Sequence, residues 1–372
     1  MRHAVVDRMS GEGREGQFDH GEPALDCGRV IFLECQRIRA GDEDHVSGFV
    51  PCHEASMLSC NKDRVTSHHT GGRRTVGGSL MKNRMVGDLE ISRVHELFLR
   101  VPTGDFFPDT PVEAWEPHKD WLIAEKALNP AGTEIVLPVQ SYVVRTSHHN
   151  ILIDTCVGND KNRPHRDGWH MKTDDTYMKS LAAAGLKPED IDYVMCTHLH
   201  HDHVGWNTKL VDGRWVPTFP NAKYLMSKKE LDIFKEQEDL AASFSLIDSV
   251  LPVVDSGQAE LITSDYALDD EVWLEPTPGH TPDHFAVRFQ SNGAGAVVGG
   301  DLMHCPVQCM HPDWRARPDF DPPMAVETRR KFMDTYAGTD TLVCMMHFPL
   351  PSCGGFAPQD NGFRFTYDTQ DW

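Results

Sequence analysis

"CTHLHHDHVGWN", residues 196–207, sets four histidines and one aspartate (His198, His200, His201, Asp202 and His203) within six positions. The run closes an apolar stretch, Ile191–Cys196, that reads as a strand. In an extended backbone, side chains i and i+2 point the same way, so His198 and His200 can address one ion. Asp202 and His203 follow where the chain is expected to bend into a helix, and there they would face a neighbouring ion. Imidazoles and carboxylates without paired thiolates suit Zn²⁺, and the same atoms accept Mn²⁺, Fe²⁺ or Co²⁺. In a chain with 21 histidines the competing reading is a solvated loop, so other segments must supply the remaining ligands.

They do so in a regular manner. Asp154 follows "NILI", Asp301 follows "AVVGG", His347 follows "TLVCMM" and His280 follows "VWLEPTPG". Each stands just after an apolar run, and strands sharing one direction bring such ends to a single edge, where α/β proteins place their sites. His280 and His347 can complete the shell of each ion, and Asp301 is the carboxylate suited to bridging two. Asp154 reads as accepting an N–H from a ligand histidine, beside its plainer reading as a strand-end turn residue. Two adjacent cations lower the pKa of a shared water and polarise a substrate oxygen. That chemistry needs no serine or cysteine nucleophile, and the sequence has no G-x-S-x-G.

Around these positions, residues 137–156 read as two strands about a turn at Ser147–Asn150. A helix is expected next, with Thr173 as its cap and Gly185 past its end. A hairpin turns at Ser291–Gly295, and Asp321 caps a helix that Pro322 and Pro323 open and Gly338 stops. "TLVCMMHFP" reads as the last strand. Alternating strands and helices imply layered α/β packing.

Composition divides the chain. Residues 1–84 hold no Trp or Tyr, eleven of the 29 Gly, and twelve acidic against twelve basic side chains. The net charge of −20 therefore falls on residues 85–372, the expected folded domain. Residues 1–84 read as a disordered extension, or as sequence upstream of a start at Met81 or Met85, with only "RVIFLECQRI" fit to form a strand. No secretory signal and no long apolar span is present. Ten cysteines without a CxxC pair suit free thiols in a reducing cytoplasm. An acidic body speaks against a nucleic-acid partner.

"THLHHDHVG" resembles the H-x-H-x-D-H signature of the metallo-β-lactamase superfamily. "ILIDT", "TPGHTPDH", "GGDLMH" and "MHFP" resemble its other motifs, in order. The resemblance implies an αββα sandwich with the metals at one edge of the two sheets. His198, His200 and His280 would hold one ion and Asp202, His203 and His347 a second, with Asp301 bridging. "GDLMHCPVQ" resembles methyl parathion hydrolases, and the ligand set with "GHTP" resembles N-acyl homoserine lactonases. The activity so implied is dinuclear zinc hydrolysis of a lactone, ester or phosphotriester by hydroxide shared between the ions. Asp301 or Asp202 would relay the proton to the leaving oxygen. Where the lactonase pattern has Tyr, this chain has His304 within "LMH", either a substitute hydrogen-bond donor or a residue that merely packs under the next loop. Asp283 stands where the family more often has Gly, and His201 occupies a variable position that reads as facing solvent.

Phe106, Phe107, Trp115, Trp121 and Trp314 offer apolar walls for a small neutral substrate, or alternatively ordinary core. Members of this branch are often homodimers, which carries over as an expectation. The alternatives are a thioesterase resembling glyoxalase II, a β-lactam hydrolase, or a metal-binding scaffold without turnover. The first adds a helical, basic C-terminal region, whereas 25 residues follow His347 here. Class B β-lactamases lack the bridging Asp.

Overall fold

The computed structural model describes residues 83–166, 168–236, 244–359 and 362–370. The readings made for residues 1–82, including the strand in "RVIFLECQRI", lie outside them. Residue 84 belongs to the body after all: Arg84 opens the first strand, and its Nε donates to Asp368 Oδ2 at 2.6 Å.

Fifteen strands are described in three sheets. The first sheet contains β1 (Arg84–Val86), β2 (Leu89–Pro102), β3 (Glu134–Arg145), β4 (Asn150–Ile153), β5 (Tyr193–Met195), β8 (Lys223–Ser227) and β9 (Ala259–Ile262), in that order. β6 (Thr208–Val211) and β7 (Arg214–Pro217) form a separate ribbon. The second sheet runs β10 (Val272–Pro276), β11 (Phe285–Ser291), β12 (Ala294–Val298), β13 (Leu342–Cys344), β14 (Cys353–Gln359) and β15 (Gly362–Tyr367).

Side-chain alternation explains the layering. In β4, Ile151 and Ile153 face the second sheet while Leu152 faces helices; in β12, Ala296 and Val298 face the first sheet while Val297 faces outward. Every such strand is buried on both faces, which is why these runs are almost wholly apolar. The inner core joins Ile91, Val144, Met195 and Leu225 to Val287, Phe289 and Cys344. Outside the first sheet pack the helices Thr176–Ala183, Lys228–Glu236 and Leu251–Asp255, through Tyr177, Leu181, Leu231, Phe234 and Val253. Outside the second packs the helix Pro322–Tyr336, through Phe332, Met333 and Tyr336. The order of layers is therefore helix, sheet, sheet, helix, the αββα sandwich expected.

The hairpin β3–β4 and the Asn292–Gly293 turn between β11 and β12 form as read. So does the helix capped by Asp321, whose side chain accepts from Met324 N. Three readings need correction. The helix after β4 starts at Thr176 rather than after Thr173, because Asp174 Oδ1 takes the Thr176 N–H at 2.9 Å and sets the first turn. After His203 the chain makes a turn and a short 3₁₀ segment, Gly205–Asn207, rather than a helix. β13 is not the last strand: β14 and β15 follow it in a segment rich in Gly and Pro.

β4, β5, β8 and β9 run parallel to one another, as do β12 and β13. The six described cysteines are buried free thiols. Among the described residues no helix is long and apolar enough to cross a membrane.

Candidate metal centre

The loops that leave β4, β5, β10, β12 and β13 bring the chemistry together. After β5, Leu199 turns into the core while His198 and His200 point to the same side, as their i, i+2 spacing requires. A turn closed by His203 N donating to His200 O at 3.0 Å then presents Asp202 and His203. His280 stands in the loop after β10, where Gly279 (φ 131°) is obligatory: a Cβ there would lie 2.3 Å from the Ala325 nitrogen. Asp301 follows Gly300 (φ 56°), whose missing side chain leaves room for His284. His347 follows β13.

Two groups of ligand atoms, each within 4.8 Å, are His198, His200, His280 and Asp301, and Asp202, His203 and His347; a third, Asp301, His304 and His347, overlaps both. Asp301 stands between them. Its Oδ2 lies 3.3 Å from His280 Nε2 and 3.7 Å from His198 Nε2. Its Oδ1 lies 3.1 Å from His203 Nε2 and 3.0 Å from His347 Nε2.

The far side of each ring shows why the near nitrogen is free. His203 Nδ1 donates to Asp154 Oδ2 at 2.8 Å, and His280 Nδ1 to Asp319 Oδ1 at 3.1 Å. His347 Nδ1 donates to the Pro138 carbonyl at 2.9 Å, and His198 Nδ1 to Thr197 Oγ1 at 3.0 Å. Thr197 Oγ1 in turn donates to Asp154 Oδ2 at 2.8 Å. With Nδ1 protonated, each ring turns the Nε2 lone pair toward the centre. His200 differs, approaching with Nδ1, 3.0 Å from both His198 Nε2 and His280 Nε2.

Electrostatics agree with a cation site. Burial lowers the pKa of His198 and His200 well below the usual imidazole range, which keeps them neutral. Burial opposes the charge of His280 too, but its hydrogen bonds to Asp301 and Asp319 win and raise it to about 9, so this position favours a positive charge at Nε2, a proton or a cation in its place. Burial presses Asp301 upward, yet His203 and His347 outweigh it and hold the carboxyl well below its ordinary range. Asp301 Oδ1 is buried and has no hydrogen-bond partner despite those short approaches. An oxygen so placed, among convergent imidazole nitrogens, fits divalent cations on either side of the carboxylate.

Above these atoms opens a cavity of about 740 Å³, with Asp202, Asp301, His304 and His347 at its floor. Leu99, Leu137, Phe106, Trp169 and Phe234 wall it, and Arg166, Arg317 and Phe320 stand in its lining as exposed side chains. His304 lies stacked on His347, with Phe106 5.0 Å away edge-on. Its Nε2 is 3.2 Å from Asp301 Oδ2 and its Nδ1 lacks a partner.

Of the aromatic candidates for the cavity wall, Phe106 alone lines it. Phe107, Trp115 and Trp314 instead form a buried cluster behind it, with Trp115 and Trp314 ring centroids 4.8 Å apart among Leu122, Leu128 and Ile135. They fill the space between the segment 103–129 and the start of β3. Trp121 is half-buried beneath the Arg364 guanidinium, 3.6 Å away. His201 is half-buried against Trp169 rather than facing solvent, at 5.1 Å between rings. Asp283 turns away from the centre toward Ser264 and Lys229.

Four residues near the ligands were not singled out from sequence. Buried His284 accepts the Asp301 N–H at Nε2 (3.0 Å), and burial lowers its pKa to about 3. Its neighbour in "TPDH" is a signal that could have found it. Glu230 accepts from the backbone of Leu199 and Asp283, and Asp319 and Arg329 form a buried pair behind His280; no spacing in the sequence points to these.

Comparison with known proteins agrees with this geometry. The model of the metallo-beta-lactamase superfamily matches residues 135–331. An N-acyl homoserine lactonase from Bacillus cereus is 27% identical over 179 residues, which are 45% of this chain and 64% of the relative. Another, from Bacillus thuringiensis, is 26% identical over 191 residues, 48% of this chain and 68% of its own. The chain thus spans just under two thirds of the first of these relatives. Among solved structures, AidC, a dizinc quorum-quenching lactonase, superposes with a TM-score of 0.65 at 22% identity, over 77% of this chain and 97% of its own. The hydrolase AbOPH gives 0.64 at 24% identity, with the same coverage. These two likenesses speak for the fold. The family match spans more than half of the 372 residues and includes six of the seven converging ligands, and the chain belongs to the metallo-beta-lactamase superfamily.

Proposed function

We propose that this protein is a metal-dependent hydrolase that opens lactones or esters of small, uncharged, partly apolar molecules. One observation carries the reading: the two oxygens of Asp301 face two separate groups of ligands at the floor of an apolar-walled cavity. His198, His200 and His280 would hold one divalent ion and Asp202, His203 and His347 the other, zinc being favoured by the nitrogen-rich set. When bound, such a pair supplies Lewis acidity, activating water and polarising the substrate's carbonyl.

The chain's own groups do the rest. Phe106, Leu137 and Phe234 take the apolar part of the substrate and exclude bulk water. Asp202, at the cavity floor, is the carboxylate placed to pass a proton to the leaving oxygen, a role Asp301 shares. His304 Nε2 donates to Asp301 Oδ2 at 3.2 Å, so in the neutral ring the buried, unpartnered Nδ1 carries the lone pair and would accept from a water or substrate O–H rather than donate as the Tyr of the lactonase pattern is read to do. The similarity to N-acyl homoserine lactonases supports a lactone as substrate, and "GDLMHCPVQ" keeps a phosphotriester in the panel to be tested.

The test is a metal analysis of purified protein beside a panel of lactone, ester, phosphotriester, thioester and β-lactam substrates. Two zinc equivalents per chain, and lactone or ester turnover lost with chelator and with Asp301→Asn, are expected. Turnover that survives both treatments overturns the proposal.

A further inference from the structure

Two ligand histidines, one from each group, are backed by a carboxylate, and the two carboxylates differ in what else they hold. Asp154, after β4, otherwise holds Thr197, just after β5. Asp319 belongs to the loop that supplies Arg317, Pro318 and Phe320 to the cavity mouth. Its Oδ1 accepts from His280 Nδ1 at 3.1 Å, and its Oδ2 accepts from Arg329 at 2.6 Å and from Ala316 N at 3.0 Å. Both members of the Asp319–Arg329 pair have fully buried side chains.

The same loop is laced to the His280 segment by its backbone. Phe320 N donates to His280 O at 3.0 Å and Asp321 N to Gly279 O at 2.9 Å. Arg329 adds a third tie: its Nε donates to Leu302 O at 2.8 Å, next to Asp301, and another nitrogen to Pro312 O at 3.2 Å. One guanidinium thus holds the mouth loop, the carboxylate behind His280 and the segment of the shared Asp301. A buried carboxylate that accepts from the far nitrogen of a ligand histidine sets the ring's tautomer and orientation. Here the carboxylate lies in the substrate-facing loop itself.

We infer that Asp319 is a positioning residue that couples the cation held by His198, His200 and His280 to the order of the mouth loop 312–320. Coupling of this kind is reciprocal: a bound cation tightens the loop, and a loosened loop weakens the cation. The inference rests on the metal-centre reading, and its tests separate the two.

The first test uses the unaltered chain. After chelator treatment and dialysis, zinc is restored and amide exchange is followed at Ala316, Phe320 and Asp321. Zinc should slow exchange there by at least about tenfold, more than at exposed loops remote from the centre. If two equivalents of zinc bind and these amides are unmoved, the coupling is refuted while the metal centre stands. If no zinc binds, the metal-centre reading falls first. The second test is Asp319→Asn, examined by zinc competition against a chromogenic chelator. One of two equivalents should weaken by about 10–100-fold and the other by less than about threefold, with zinc-dependent protection of Phe320 lost. Arg329→Lys should fall between wild type and Asp319→Asn. Equal weakening of both equivalents, accompanied by a lower Tm of the metal-free protein, would mark a merely structural role.

Discussion

Replacing Asp154 by Asn is nearly isosteric, yet it should disable one half of the metal centre. The carboxylate is fully buried and accepts from Thr197 N, Thr197 Oγ1 and His203 Nδ1, each at 2.8 Å. A carboxamide has one acceptor oxygen where the wild type has two. If that oxygen serves Thr197 N, the NH₂ group meets His203 Nδ1, which must then accept. The ring proton moves to Nε2, the atom 3.1 Å from Asp301 Oδ1, and the lone pair needed by a cation is gone. If the amide turns over, its NH₂ group faces the Thr197 N–H, and two buried donors collide at a cost of about 1–3 kcal/mol. Either route forfeits one charge-assisted bond worth about 1.5–3 kcal/mol. That matches the roughly 10–100-fold loss of metal affinity expected when the partner of a ligand histidine is removed. The assay is zinc competition with a two-site fit, beside ¹⁵N NMR of the imidazoles. One equivalent should weaken by that factor and the group around His198 by less, since only Thr197 Oγ1 links that ring to Asp154. Two equivalents at wild-type affinity, with His203 still protonated on Nδ1, would refute the reasoning.

Other outcomes follow from the same structure. Lys161 is fully buried, its Nζ donating to Thr208 Oγ1 and the Asp248 carbonyl, and burial lowers its pKa to about 7 from 10.5. Between those values the unfolded chain binds the extra proton. Stability should therefore rise with pH from about 7 toward 10, by up to about 1.4 kcal/mol per unit. Urea melts at pH 7 and 9 check this, since Lys161→Met should flatten the rise and an unchanged rise would exclude Lys161 as its source. Phe106→Ala should raise KM for long-chain substrates more than it lowers kcat, while short-chain substrates change little; equal effects on both would remove Phe106 from the acyl wall. Trp115→Ala, at the centre of the buried aromatic cluster, should cost about 3–5 kcal/mol in chemical denaturation and leave KM near wild type.

Legibility from sequence tracked how local the cause was. The ligands could be read because each follows an apolar strand whose composition is itself the signal, as "NILI" precedes Asp154 and "AVVGG" precedes Asp301. The caps at Asp321 and Gly338 depend on neighbours within four residues, and both formed. For Phe107, Trp115 and Trp314 wall and core stayed open because a large aromatic satisfies both equally; only the fold of 103–129 over β3 decides for the core. Asp319 and Arg329 lie 39 and 49 residues beyond His280, on a loop and a helix whose approach is purely tertiary. β14 and β15 escaped notice because Gly354, Gly355, Pro358 and Gly362 obscure an alternating pattern whose inward members are Phe356 and Phe365.

The ligands' division between the two sheets bears on how the molecule comes apart. His198, His200, Asp202 and His203 hang from the first sheet, and His280, Asp301 and His347 from the second, so each proposed ion is a clasp across the seam. Its grip adds to the cohesion of the inner core only while both halves are docked, because neither half alone offers a full set of donors. Stripping the metal would then loosen the sandwich at its mouth edge first, and a protease should find its earliest cuts in the loops beside that edge.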